Sequence, residues 1–168
     1  LVVQGKLRDA AHAFEQGIAL APNLPSLHNG LGGARLNLRE YDAATTAFAR
    51  ARDLDPANVI YWRQHAAALI RALAAPEALA LLREAVAKFP DDALLRTQMV
   101  SSLNYASGIS REEAFEHHLA LGRLLERQAG PRPAFANTKD PNRPIRVGLL
   151  SADWFEHPVA HFVSPLFT

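Results

Sequence analysis

The side chains whose types and spacing could do chemistry lie near the end of the sequence, in Ala152-Asp153-Trp154-Phe155-Glu156-His157-Pro158-Val159-Ala160-His161. Pro158 suits the first position of a helix, so His157 sits just before a helix N-terminus and His161 lies one turn further along the same face. The positive end of a helix dipole favours the neutral imidazole, which can take a proton from a hydroxyl nucleophile, as a general base must. Asp153 lies on the same loop. A plainer reading stands beside this one: His157 only caps the helix, Asp153 only holds the loop, and His-x-x-x-His is a chance pair and not a metal site. His117 and His118 are adjacent, not four apart, so they share no helix face and no metal site is expected there. The sequence of 168 residues holds no Cys, which excludes disulfides, cysteine-ligated zinc, iron–sulfur clusters and thiol catalysis within it.

A catalytic loop needs elements on both sides to position it. Ile145-Arg-Val-Gly-Leu-Leu-Ser151 is a short, nearly continuous apolar run, as a strand buried on both faces of a parallel sheet requires. Residues 145–168 therefore read as the opening strand, loop and helix of an α/β domain that the sequence does not finish. Ligands of open α/β sheets bind beyond the carboxyl ends of the strands, which is where Asp153 and His157 fall. Residues 131–144 hold four of the eleven prolines and read as an extended linker.

Ahead of the linker the organisation changes to a repeat. Pro22, Pro56 and Pro90 recur at one constant interval. Aligning on them brings Ala10, Ala44 and Ala78 into one column, Phe14, Phe48 and Leu82 into another, and Gly17, Ala51 and Ala85 into a third. Small residues in two columns let paired helices approach closely, the large column fills the space between them, and the proline stops the second helix. This period resembles the tetratricopeptide repeat, a helix–turn–helix unit of about 34 residues. Gly5-Lys-Leu7-Arg-Asp-Ala10 and Glu40-Tyr41-Asp-Ala-Ala44 look like its turn and second-helix start, while Leu31-Gly32 and Trp62 fall where its first helix carries Leu-Gly and Trp. Residues 1–92 are thus read as repeats, the first lacking its first helix, so the chain is expected to begin inside a longer array. First helices line the inner surface of such a solenoid, and extended peptides bind there. The face should present Ser26, Asn29, Gly33 and Asn37, then Arg63, Ala67 and Arg71, with Asn29, Asn37, Arg63 and Arg71 as the acceptor-binding candidates. Asn and Arg suit hydrogen bonds to a peptide backbone; the alternative is that they are merely solvated helix residues.

Past Pro90 the period fades, and residues 93–130 read as a degenerate repeat with capping helices. Asp91-Asp92 caps a helix from about Ala93 to Tyr105, and Ser107–Ser110 is a break. Ser110 and Glu113 form a capping box for a helix from about Arg111 to Gln128, whose apolar set is Ala114, Phe115, Leu119, Leu121, Leu124 and Leu125. Charge agrees with a protein-binding surface: 18 Lys and Arg against 17 Asp and Glu leave a net +1, without the basic excess of a nucleic-acid or anionic-membrane binder. No apolar run reaches the roughly 18 residues that cross a bilayer. The opening residues lack signal-peptide features, and with the missing Cys they lead to an expected cytoplasmic location.

Taken as an ordered series, the repeats, Leu103-Asn104-Tyr105, the capped helix with His117, the linker, Arg146-Val-Gly-Leu-Leu-Ser-Ala-Asp153 and His157-Pro-Val-Ala-His161 resemble the O-linked N-acetylglucosamine transferase family, its bacterial and SPINDLY-like members included. Two departures are visible: Gly30, Gln64 and Gln98 stand where family repeats commonly carry an inner-face Asn, and Trp154 stands where Phe is usual. The resemblance implies a mainly α tetratricopeptide-repeat α-solenoid followed by the first strand, loop and helix of a Rossmann-like GT-B catalytic lobe. It implies an inverting glycosyltransferase that moves N-acetylglucosamine from UDP-N-acetylglucosamine to Ser or Thr hydroxyls of proteins without a metal or other cofactor. His157 would be base or positioning group, Asp153 and His161 supporting residues, and the repeats the guide for the acceptor polypeptide. The fragment alone is expected to be inactive, since one strand and one helix cannot enclose a sugar nucleotide. The alternatives are a non-catalytic peptide-binding scaffold and an O-fucosyltransferase using GDP-fucose.

Overall fold

The computed structural model describes residues 2–131, and these form seven helices. They are α1 (Val2–Leu20), α2 (Pro25–Asn37), α3 (Tyr41–Leu54), α4 (Val59–Arg71), α5 (Ala75–Lys88), α6 (Ala93–Leu103) and α7 (Arg111–Ala129). The linker at 131–144, apart from Pro131, and the strand, loop and helix expected at 145–168 lie outside the described residues. No strand occurs among the described residues; their fold is a tetratricopeptide-like stack of helix pairs.

The period of the proline ladder is visible in the element boundaries: α2, α4 and α6 begin at Pro25, Val59 and Ala93, and α3 and α5 at Tyr41 and Ala75. In the second and third copies the aligned columns are core, whereas Ala10, Phe14 and Gly17 of the first are only half-buried. Ala44, Ala78, Ala51, Ala85, Phe48 and Leu82 are all buried. Asn58 accepts from the Ile60 amide at 3.1 Å, and Asp92 from the Leu95 amide at 2.8 Å, capping α4 and α6. Within each regular repeat the first helix closes with a left-handed residue, Arg39 (φ 64) and Leu73 (φ 59). The Glu40 and Ala74 amides reach back to the carbonyls of Arg35 and Leu69, at 2.9 and 3.0 Å, as in a Schellman motif.

One column unites residues of unrelated type. His28 Nε2 donates to the Pro22 carbonyl at 2.7 Å, Trp62 Nε1 to Pro56 at 3.0 Å, and Arg96 Nε to Pro90 at 2.8 Å. Each first helix is thereby tied to the proline turn that precedes it. Trp62 is buried, edge-on to Phe89 (centroids 6.2 Å, 66°), with Arg52 and Lys88 over its ring at 5.2 and 5.3 Å.

The stack curves in a definite sense. The first helices of successive repeats, α2 with α4 and α4 with α6, approach backbone to backbone, whereas α3 and α5 do not. The first helices therefore lie on the inner side of the curve.

Three sequence expectations need correction. Gly5 is not a turn, because α1 runs unbroken through it. A lone glycine in a helix interior costs only about 0.5–1 kcal/mol relative to Ala, so it does not by itself break the helix. At Ser110 only half the capping box forms: Ser110 accepts from the Glu113 amide at 3.0 Å, but the Glu113 carboxylate takes Arg83 of α5 at 2.5 Å. Of the apolar set on the last helix only Leu124 is buried; Phe115, Leu119 and Leu125 are exposed, because among the described helices only α6 lies against α7 backbone to backbone. That helix is further fastened by its C-terminal end, where Gln128 donates to the Asp91 carbonyl at 3.0 Å.

Two neighbouring glycines test the close packing. A Cβ at Gly32 would lie 2.7 Å from Phe48 Cδ1, within the buried column, whereas one at Gly33 meets nothing within 4 Å. Gly32→Ala should cost about 1–3 kcal/mol by overpacking. Gly33→Ala should stabilise by about 0.5–1 kcal/mol through helix propensity. Urea denaturation of both variants, showing opposite shifts of midpoint, checks this.

Candidate functional site

The inner-face side chains predicted from sequence fall on one solvent-facing row per first helix. On α2 it is Ser26, Asn29, Gly33 and Asn37, and on α4 Ile60, Arg63, Ala67 and Arg71, with the end residues exposed and the middle ones half-buried. The same register on α6, one period further on, brings Leu94, Thr97 and Ser101 to the surface, and Tyr105, at the fourth register position, is exposed in the turn just past the helix. That third row was missed because the proline ladder stops at Pro90; the signal for it was Asp92, one period after Asn58. The middle column is Gly33, Ala67, Ser101: small in every repeat, so an extended chain can approach the helix backbones. No carboxylate lies on any of the three rows.

The candidate residues differ in how free they are. Arg71 is exposed and makes no ion pair among the described residues. Asn37 is exposed and donates only to the Gly33 carbonyl of its own helix, at 2.8 Å, leaving its side-chain oxygen as an acceptor. Arg63 is committed. Its Nε donates to Asp92 Oδ1 at 3.1 Å, and its Nη2 pairs with Asp92 Oδ2, while the same Asp92 caps α6. Arg63 thus bolts α4 to the start of α6, and half its donor fork is spent on structure. The Asn29 side-chain oxygen is buried without a hydrogen-bond partner, as is that of Gln98, whose amide donates to the Arg63 carbonyl at 3.2 Å. Such oxygens cost stability unless a water or a ligand group reaches them.

Gly30, Gln64 and Gln98 occupy the column next to the row. At Gly30 the reason for glycine is steric: a Cβ there would lie 2.4 Å from Phe14 Cε1, so the ring of α1 occupies the space a side chain would need. Behind the row, His65 is buried against Arg52 (Nη1 to Nδ1, 3.3 Å). Burial, helped by the Arg52 charge and opposed by Asp53, pushes its imidazole down to about 4. No group of three or more potential metal ligands occurs among the described residues. Nor is any helix among them long and apolar enough to cross a membrane. Asp153, His157 and His161 lie outside the described residues, so no geometry bears on them.

No family model matches the chain. Over 79 residues it is 30% identical to the probable UDP-N-acetylglucosamine–peptide N-acetylglucosaminyltransferase SPINDLY of Arabidopsis thaliana, a match covering 47% of this chain and 9% of that protein. An O-GlcNAc transferase of Thermobaculum terrenum superposes with a TM-score of 0.70 at 23% identity, over 97% of this chain and 31% of that one. A crystal structure of the MamA protein superposes with a TM-score of 0.67 at 17% identity, over 78% of this chain and 70% of that one. The chain spans under a tenth of the length of the curated relatives it matches. These similarities bear out the resemblance to the O-linked N-acetylglucosamine transferase family through its repeats; the two structures speak for the fold alone.

Two predictions follow the electrostatics. Because the His65 imidazole is depressed in the fold, its neutral form is favoured there: stability is full above about pH 6.5 and falls as pH drops toward 4. Between about pH 7.5 and about pH 5 the wild type should lose about 2 kcal/mol more in urea titrations than His65→Gln. Asp92→Ala, which removes both cap and ion pair, should cost about 2 kcal/mol, whereas Asp92→Asn, which keeps the cap, should cost about half that.

Proposed function

We propose that this chain is the acceptor-guiding repeat region, with the start of the catalytic lobe, of a protein O-GlcNAc transferase. The observation that carries the reading is the row itself: three successive first helices present small residues down the middle and no carboxylate, flanked by amides on α2, guanidinium groups on α4 and the Thr97 hydroxyl on α6. Such a surface suits a polypeptide backbone, which offers both carbonyls and amides and needs close approach. The similarity to SPINDLY over the repeats supports association with a glycosyltransferase.

In the reaction so proposed, a Ser or Thr hydroxyl of the acceptor attacks the anomeric carbon of N-acetylglucosamine. The bond to the UDP oxygen breaks, UDP leaves, and configuration inverts. His157 would accept the hydroxyl proton or hold the acceptor in line, with Asp153 and His161 supporting it. No metal or cofactor is assigned. No residue of this sequence is assigned to the sugar nucleotide, and a cytoplasmic location goes with the proposal. The second reading is a repeat scaffold without catalysis, which the fold shared with MamA also allows; GDP-fucose is the alternative donor.

In the whole protein, His157→Ala should lower transfer from UDP-N-acetylglucosamine by about 10²–10⁴-fold while leaving acceptor binding intact. Asn29→Ala with Asn37→Ala should instead raise the acceptor KM. Transfer from GDP-fucose alone would reassign the donor, and transfer from neither donor by the wild type would favour the scaffold.

A further inference from the structure

The repeat places equivalent turns side by side, so each serves as a control for the next. After α2 the left-handed residue is Arg39, and the adjoining cavity is lined by Arg39, Glu40, Tyr41, Asp42 and Ala72, a charged and polar setting. After α4 the same position is Leu73. Its side chain is 89% exposed although its backbone is held at φ 59, which a branched apolar residue adopts at a cost. It borders a cavity of about 380 Å³ lined by Ile70, Leu73, Ala75, Ala78, Ser102 and Tyr105. Tyr105, itself 82% exposed, closes the other rim. A second cavity shares Ala75 and Tyr105 and extends the space as far as the Arg83–Glu113 pair. The repeat explains the turn; it does not explain two large apolar side chains left in water around an apolar hollow.

Position and charge say what fits. Arg71, the last residue of α4, directly follows Ile70, which lines the hollow, and Tyr105 stands one period after Arg71 in the turn that closes α6, so the hollow adjoins the end of the candidate acceptor path. Arg71 has no ion-pair partner among the described residues. No carboxylate on the rows competes for it, and Glu77 lies across α5 from Ala75 and Leu79 by helical spacing. We infer that this trough docks an extended segment of another polypeptide, one that seats a bulky apolar side chain in the cavity and sets a neighbouring carboxylate on Arg71. The inference rests on the reading of the rows as a polypeptide path and adds a sequence preference to it.

The test is to pan a random heptapeptide phage library on the 168-residue chain and measure the enriched peptides by fluorescence polarisation. Enriched peptides should share a Leu, Ile, Phe or Trp close to an Asp or Glu. Leu73→Ser with Tyr105→Ser, which leaves the core untouched, should weaken them about tenfold or more, as should Ala75→Leu, which fills the hollow. Arg71→Glu should weaken them similarly and favour peptides with Lys in place of the acid, while Arg39→Glu changes nothing; circular-dichroism melts establish that each variant is folded. Enriched peptides without an apolar anchor, or affinities indifferent to these changes, would overturn the trough. The row reading would then survive if Asn29→Ala with Asn37→Ala still weakened binding. No enrichment of any peptide would overturn both.

Discussion

Everything in this repeat array depends on how closely its paired helices approach, and small side chains set that distance. Ala44, Ala51, Ala78 and Ala85 are buried on the second helices, and Gly32, Ala66 and Ala68 on the first. Where these residues meet Phe48 and Leu82, the large side chain has nowhere else to go. Close packing of this kind transmits one dimension through the stack, because each pair contacts only its neighbours and inherits their spacing. The solvent-facing rows stay in register from α2 to α6 for that reason, and an extended ligand would meet the same geometry three times.

The joints between repeats add direction to this spacing. His28, Trp62 and Arg96 each donate a side-chain hydrogen to the carbonyl of the proline in the turn before them, so the turn into every first helix is fixed by the helix it opens. Proline carbonyls past a helix end are good acceptors with no intrahelical duty, and a donor of the right reach satisfies them whatever its chemistry. Arg63 and Asp92 work across the next joint, tying α4 to α6 on the inner side. The contact of first helices with one another, absent between α3 and α5, is the curvature that this inner bolt reinforces.

The regularity ends at α7, and so does the economy of its packing. The segment from Asn104 to Ser110 is longer than the corresponding turns, and α7 begins late in the period, at Arg111. Phe115, Leu119 and Leu125 remain in water, while Ser110, the Arg83–Glu113 pair and the Gln128 contact hold the helix in place. The hollow beside Leu73 and Tyr105 lies at this break, continuous with the space lined by Ala106, Ser107, Gly108 and Ile109.

The sequence by itself determined the period, the helix pairing, the buried columns and two of the three rows that face solvent. These are local: a constant repeat spacing, a helical stripe and a proline stop each act within one or two helices. Only the tertiary structure decided which candidates are free. Arg63 and Arg71 share a helix face and a residue type, yet one is spent on Asp92 of a later repeat and the other has no ion-pair partner among the described residues. The donor column of His, Trp and Arg was invisible because geometry, not residue type, is what repeats there. Gly5 looked like a turn and became helix, since a lone glycine costs a helix only about 0.5–1 kcal/mol and α1 runs on through it. The fold was legible where each residue answers to its own helix; the site was not, because its residues answer to helices that the chain brings together only on folding.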